Sequence, residues 1–149
     1  MFFNNKKRTA AKIIKRARKT SADILEVRVD NGLPLKEELG SQIDTGKWDF
    51  YSTIAGVFLG FQANEAGLSE ADSRELAQFV KDLLQRWDQS APEKFYDLAD
   101  FIINSREEGV DSVSATGLWV LIKVKEEMPG HKDMAMAHMI GHMLNRAVI

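Results

Sequence analysis

The sequence contains no cysteine, and this absence removes several kinds of chemistry at once. Without a thiol there is no disulfide framework, no cysteine-ligated zinc site and no thiol nucleophile. Long apolar runs are missing too: the longest, residues 53–61, is far shorter than the ~20 residues needed to span a bilayer. We therefore expect a chain without a transmembrane segment. The lack of cysteine fits a cytoplasmic location, where thiols stay reduced.

The short motifs of common catalytic and metal-binding families are also missing. There is no glycine-rich phosphate loop, no calcium-loop spacing and no G-x-S-x-G nucleophile elbow. No Glu stands three residues before any histidine, as a carboxylate-bridged di-iron bundle requires. These absences favour a protein that is not an enzyme, although a catalytic site assembled from distant residues stays open.

The most unusual segment that is present is KKRTAAKIIKRARKTSAD, near the amino terminus. It holds eight of the 20 Lys and Arg residues before its first acidic residue, Asp23. The rest of the chain has 12 basic residues against 22 acidic ones, so a basic end precedes an acidic body. No apolar stretch follows these charges, which argues against a secretory signal. A transit peptide fits less well than a structural helix, because Lys outnumbers Arg and no Ser precedes Ser21.

Helical periodicity predicts which side of this segment is buried. Within residues 1–29, a helix from about residue 5 to residue 27 has a stripe about 120° wide of apolar and small side chains. The stripe consists of Ile13, Ile14, Ala17, Ser21, Ile24 and Leu25. The opposite side carries the candidate residues for binding an anion or a partner, which are Lys12, Lys15, Arg16, Arg18 and Lys19. The segment is therefore predicted to be an amphipathic basic helix with one buried face.

Helical spacing continues along the rest of the chain. The further helices are predicted at about 34–39, 47–66, 69–87, 90–109, 111–129 and 132–147. The predicted N-caps are Ser69, Ser90 and either Asp111 or Ser112. Both Ile102 and Ile103 are expected in the core, as are Trp48, Trp87 and Trp119. We predict an all-α fold, a single domain over residues 1–149 built as a bundle of roughly five to seven helices.

Residues 25–36 allow two interpretations. The Asn31–Gly32 pair favours a hairpin turn, but Pro34 removes a hydrogen-bond donor where the return strand would begin. We prefer Gly32 as the end of the first helix and Pro34 as the first residue of the next.

The three histidines lie together in the last predicted helix. His138 and His142 are four residues apart, so neutral imidazole nitrogens from both can bind one metal ion. His131 falls within about 40° of them if the helix reaches back that far. The alternative is structural: the helix is largely apolar and buried, its methionines fill gaps in the core, and the histidines form its narrow polar stripe. No other cofactor is expected.

Gly56 and Gly60 lie one turn apart within a predicted helix. Glycine costs roughly 1 kcal/mol per helix-interior site relative to alanine, so two of them need a reason. We predict a tight helix crossing at this point, with room for a ligand as the alternative.

These observations lead to one main expectation about function and several alternatives. We expect a non-catalytic interaction or regulatory module whose basic first helix binds an acidic protein surface, and a second copy of the chain can supply that surface. The alternatives are a metal- or ligand-binding protein centred on His138 and His142, and non-specific binding of nucleic acid through the basic helix. Contact with a membrane surface is disfavoured because the apolar stripe is thin.

Overall fold

The computed structural model describes residues 2–29, 32–40, 44–127 and 130–148. Within these ranges the chain forms seven helices: α1 (Phe2–Leu25), α2 (Leu35–Glu38), α3 (Thr45–Glu65), α4 (Glu70–Trp87), α5 (Ala91–Glu107), α6 (Ser112–Lys125) and α7 (His131–Arg146). The predicted all-α bundle is confirmed. None of the helices in the described ranges is both long and apolar enough to cross a membrane.

Two of the predicted N-caps are confirmed by hydrogen bonds. The Ser69 hydroxyl accepts a bond from the Asp72 backbone N at 3.2 Å at the start of α4. The Asp111 carboxylate accepts one from the Ser114 backbone N at 3.0 Å at the start of α6. Each bond satisfies one of the backbone N–H groups that have no partner within the helix itself.

The starts of α5 and α3 differ from the prediction. Ser90 precedes α5 but makes no side-chain cap bond, because its hydroxyl donates to Asp88 at 2.7 Å instead. The start of α3 has a cap that the sequence reading missed: the Asp44 carboxylate accepts a bond from the Gly46 backbone N at 2.9 Å. As a result, α3 begins two residues before the predicted position at residue 47.

The connection between α1 and α2 combines both interpretations of residues 25–36. Helix α1 ends well before Gly32, so the prediction that this glycine ends it is wrong. Gly32 instead lies in a turn with φ +81°, closed by an isolated antiparallel bridge between Arg28 and Pro34. The Val29 N–H donates to the Leu33 carbonyl at 2.9 Å, and α2 follows directly. Asn31 lies outside the described residues.

Helix α3 is the centre of the bundle. It contacts α1, α4, α5, α6 and α7, and every residue from 52 to 60 is buried. A helix that is apolar all round is stable only when other elements surround it. Trp48 of α3 and Trp119 of α6 are each only 1% exposed, as predicted for core residues. Trp87, at the end of α4, is half-buried and packs against the core from outside.

Helices α6 and α7 approach each other at two glycines. A Cβ added to Gly117 would lie 1.8 Å from the carbonyl oxygen of Ala137, and one added to Gly141 would lie 2.0 Å from that of Val113. The two backbones therefore touch directly, which only glycine permits. This crossing brings His138 of α7 within hydrogen-bond distance of Ser114 near the start of α6.

Two predictions about buried side chains are wrong. Helix α7 is not a buried central element, because Met134, Ala135 and Arg146 are exposed in addition to His138 and His142, and its buried residues lie on one side only. Its half-buried methionines do pack against the core, as the structural alternative requires. In α5, Ile102 is buried but Ile103 is 54% exposed. Successive residues lie 100° apart on a helix, so a single core-facing stripe cannot hold both at its centre.

Candidate interaction surface on the basic helix

Helix α1 is fixed to the bundle by a close crossing with α3. A Cβ added to Gly56 would lie 2.9 Å from the Ala17 Cβ, and one added to Gly60 would lie 2.9 Å from Ile13 Cγ2. The tight crossing predicted at these glycines is confirmed. The buried face of α1 consists of Ala10, Ile13, Ala17, Ser21 and Ile24.

A buried polar cluster fixes the same two helices further along. The Trp48 indole N–H donates to the Ser21 carbonyl at 2.8 Å. The Ser52 hydroxyl donates to the Trp48 carbonyl, and the Ser21 and Ser52 hydroxyls are hydrogen bonded to each other. All three residues are buried. Because each polar group has a partner, the cluster holds α1 in one position rather than destabilising the core.

The first lysine of the basic segment is already paired within the chain. Lys6 Nζ lies 2.8 Å from Asp72 Oδ1 and 2.8 Å from Glu75 Oε2, both in α4. The hydrogen bonds to Asp72 and Glu75 raise the pKa of Lys6, and the bond from Lys6 lowers the pKa of Asp72. Lys6 therefore serves to attach α1 to α4 and does not present its charge to a partner.

Five of the seven other cations of α1 form an exposed ridge. We define the basic ridge as Arg8, Lys12, Lys15, Arg16 and Lys19. All five are exposed, and none forms an ion pair with any carboxylate in the described ranges. Four of the five predicted site residues belong to this ridge. The sequence reading missed Arg8, although it lies one turn before Lys12 and its spacing alone could have shown it.

The fifth predicted residue, Arg18, lies at the margin of the ridge. Its guanidinium is 5.6 Å from the centroid of the Trp87 ring, within the range of a cation–π contact. The same indole stacks on Phe50 at a centroid distance of 5.5 Å. Arg18 thus covers an aromatic side chain of α4 and keeps its charge at the surface.

A groove runs along each side of the ridge. The α7-side groove, of about 250 Å³, lies where α1, α3 and α7 meet, with Lys12 and Arg16 at its edge and Gly56, Leu144 and Val148 in its wall. The alternative reading of the glycine pair, room for a ligand, corresponds to this groove. The crossing itself already accounts for both glycines.

The α4-side groove is wider and more apolar. It measures about 550 Å³ and lies between α1, α3 and α4. Its floor is formed by Ala11, Ile14, Ala22 and Leu83. Its edge is formed by Lys15, Arg18 and Lys19, with Asp49 the one carboxylate among its lining residues. The basic ridge is therefore bordered by apolar surface, so a partner there meets cations and hydrocarbon together.

The histidines form a second, separate candidate site. The rings of His138 and His142 are 4.2 Å apart between centroids, and Ser114 Oγ is hydrogen bonded to His138 Nδ1 at 2.7 Å. The hydrogen bond from the Ser114 backbone N–H, followed by the nearby Ser114 hydroxyl, lowers the pKa of the Asp111 carboxyl. Ser114 engages Nδ1 of His138, so Nε2 is the ring nitrogen left for a metal ion.

The Asp111–Ser114–His138 cluster does not have the arrangement of a hydrolytic triad. The order is carboxylate, hydroxyl, imidazole, whereas a hydrolytic triad places the imidazole between the other two groups. Helix α7 does reach back to His131, but the side chain of this residue lies outside the described part of the chain. Among the described residues, no group of three His, Cys, Asp or Glu side chains is placed to hold a metal ion.

Comparison with known proteins adds no relative to this picture. The chain matches no known protein family, no curated protein and no solved structure. Any function must therefore be inferred from the geometry and charge of the surfaces described above.

Proposed function

We propose that this chain is a non-catalytic interaction module that binds an acidic protein surface through the basic ridge of α1. The observation that carries the proposal is that only some of the cations in this one segment are paired with carboxylates. Lys6 is paired with two carboxylates, whereas all five ridge cations face outward without an ion pair in the described ranges. The rest of the chain has an excess of acidic residues, so carboxylates are abundant. Within the described ranges, none of them pairs with a ridge cation.

The rigidity of α1 supports the same proposal. The glycine crossing and the Ser21–Ser52–Trp48 cluster hold this helix on α3 before any partner arrives. A surface that is already ordered loses little conformational entropy on binding, so more of the contact energy appears as affinity. A disordered basic tail would lack this advantage.

The surroundings of the ridge favour a protein partner over a nucleic acid. A phosphate backbone binds through contacts with cations, and an apolar groove floor adds nothing to that interaction. The α4-side groove places Ile14 and Leu83 beside Lys15 and Lys19, which suits a surface that mixes carboxylates and apolar side chains. The acidic body of the chain would also repel a long polyanion. We further propose that the module acts in the cytoplasm, in line with the absence of cysteine.

The test is co-purification from the source organism at low and high salt, using a ridge variant, K12E/K15E/K19E. A matched control, K81E/R86E/R146E, makes the same charge change at exposed positions of α4 and α7. We expect the wild type and the control to retain a protein partner at low salt, and the ridge variant to lose it. The purified partner should then bind the wild type and the control more tightly than the ridge variant. Equal retention by the ridge variant, or retained material that nuclease removes, overturns the proposal.

A second candidate function is metal binding at His138 and His142. The observation that favours it is the close pair of imidazoles, 4.2 Å apart between centroids, in which Ser114 engages Nδ1 of His138 and leaves Nε2 for an ion. Two imidazoles leave the remaining positions of the ion to water or to another ligand.

A further inference from the structure

The outer face of α5 carries an exposed stripe in which apolar and acidic side chains alternate. Tyr96 is 57% exposed and Ile103 is 54% exposed, the highest values for large apolar side chains in the described ranges. Asp100 and Glu107 are exposed as well. The four positions follow the spacing i, i+4, i+7, i+11, which places them on one side of the helix. We call these four residues the α5 stripe.

The acids of this stripe differ from the neighbouring acid on the same helix. Asp97 accepts a bond from the Trp119 indole at 3.0 Å and lies 3.1 Å from Lys123 Nζ. Asp100 and Glu107 form no ion pair within the described part of the chain. The stripe therefore offers, within the described residues, carboxylates without an ion pair beside exposed apolar side chains.

The stripe and the surface of α1 match in both charge and spacing. Asp100 and Glu107 are seven residues apart, which is about 10 Å along a helix. Two pairs in the basic ridge have the same spacing: Arg8 with Lys15, and Lys12 with Lys19. The apolar pair of the stripe, Tyr96 and Ile103, is also seven residues apart, and the α4-side groove offers an apolar floor beside the ridge.

The two surfaces cannot meet within one chain. Helix α4 contacts both α1 and α5, whereas α1 and α5 do not contact each other in the described structure. The α5 stripe also lies on the side of α5 opposite the buried residues Leu98 and Ile102, so it faces away from the bundle. Only a second molecule can bring the stripe to the ridge.

We propose that the partner of the basic ridge is a second copy of this chain, whose α5 stripe docks along the ridge and the α4-side groove. Tyr96 and Ile103 pack on the groove floor, and Asp100 and Glu107 pair with ridge cations. This inference rests on the proposed function, because it names the acidic surface that the ridge binds. It also gives the exposed apolar pair of α5 a role that the fold of a single chain does not supply.

The test is self-association of the full chain, measured by sedimentation equilibrium over a range of salt concentrations. We expect the weight-average mass of the wild type to exceed that of the monomer at low salt and to fall toward it as salt rises. Like charges brought together at an interface weaken binding strongly, so the ridge variant K12E/K19E and the stripe variant D100K/E107K should each associate about tenfold or more weakly. Mixing the two variants restores one correct pair of faces, so the mixture should associate where neither variant does alone.

Two further variants separate charge from packing. Y96A/I103A keeps every charge and removes only exposed apolar side chains, so it should fold normally and lose association. E37K/E127K makes the same charge change as the stripe variant at exposed positions on α2 and after α6, and it should associate like the wild type.

The outcomes distinguish this inference from the proposed function. If the wild type is monomeric at every salt concentration, or if mixing fails to restore association, a second copy is not the partner. In that case, loss of a different co-purified protein by the ridge variant still supports the proposed function. If the ridge variant loses nothing in either experiment, both proposals fail.

Discussion

Gly56 of α3 faces Ala17 of α1 at such short range that a methyl group in place of the glycine hydrogen would lie 2.9 Å from the Ala17 Cβ. The nearest atoms include the Ala17 Cα at 3.3 Å, so a larger residue must push the α1 backbone away. The position of the basic helix therefore depends on the absence of one side chain.

The first prediction concerns this contact. Gly56→Ala should destabilise the fold, because overpacking costs about 1–3 kcal/mol and the better helix propensity of alanine, at most about 1 kcal/mol, offsets only part of it. Urea unfolding measures the change. Gly67→Ala is the matched control, since nothing lies within 4 Å of a Cβ added there, and it should have little effect. Equal stability of the two variants would contradict the tight crossing.

The second prediction concerns the ion pairs that attach α1 to α4. The hydrogen bond from Lys6 lowers the pKa of Asp72 below its ordinary value of 3.8. A carboxylate with a lowered pKa in the folded state stabilises that state above the ordinary value, and this contribution is lost as pH falls through the lowered one. Lys6→Gln should therefore be less stable than wild type at neutral pH, with a difference that disappears in acid and shrinks in high salt.

Lys7→Gln provides the control for this effect, because Lys7 is exposed and forms no ion pair in the described structure. Its stability should follow that of the wild type across the same pH range. A Lys6→Gln difference that stays constant into acid would show that packing, and not charge, is responsible.

The third prediction compares two neighbouring buried hydroxyls on α3. Thr53 Oγ1 has no hydrogen-bond partner among the described residues, whereas the Ser52 hydroxyl bonds to Trp48 and Ser21. Thr53→Val should stabilise the protein by about 1 kcal/mol, because an unsatisfied buried hydroxyl is removed. Ser52→Ala should destabilise it by about 1–3 kcal/mol, because Ser21 loses its partner. Thermal unfolding of both variants measures the two changes in stability. Changes of the same sign would contradict the conclusion that the Thr53 hydroxyl is unsatisfied and the Ser52 hydroxyl is hydrogen bonded.

The fourth prediction tests the metal-binding candidate. Protein purified without a histidine tag should contain a stoichiometric transition metal by elemental analysis, and His142→Ala should lose it because one imidazole of the pair is gone. Ser114→Ala should weaken binding moderately, since the hydrogen bond that orients the His138 ring is lost. His131→Ala separates the pair from a three-histidine site. Wild-type protein without metal, both as purified and after incubation with Zn²⁺ or Cu²⁺, would eliminate this candidate.

Much of the fold could be predicted because its signals are local. The period of apolar residues in α1 gave the buried face around Ile13 and Ala17, and Ser69 and Asp111 marked helix starts by side-chain chemistry alone. The wrong prediction that Ile103 is buried was avoidable. Ile102 lies one turn after Leu98 on the core-facing stripe, and the next residue on a helix points to a different side. The glycine pair Gly56 and Gly60 gave correct notice of a crossing, since glycine within a helix costs stability unless something needs it.

What could not be predicted depends on residues far apart in the chain. The charge of Lys6 looks identical to that of Lys7 in the sequence, yet its partners, Asp72 and Glu75, are 66 and 69 residues away. The approach of Gly117 to Gly141 likewise depends on how two helices are paired, which periodicity within each helix does not specify. For the candidate surface, the sequence predicted four of the ridge residues, but it could not show the grooves beside them because α3, α4 and α7 form their other walls.

The central position of α3 also has a kinetic consequence. Because the middle of α3, residues 52–60, is buried among five other helices, we expect its backbone N–H groups to exchange with solvent deuterium only when the bundle opens. A ligand that binds the folded chain at a remote surface stabilises it against that opening, and so slows exchange in α3 without touching it. Slower exchange of the buried α3 amides would therefore report that a partner is bound at the surface, even when the contacts of that partner are unknown.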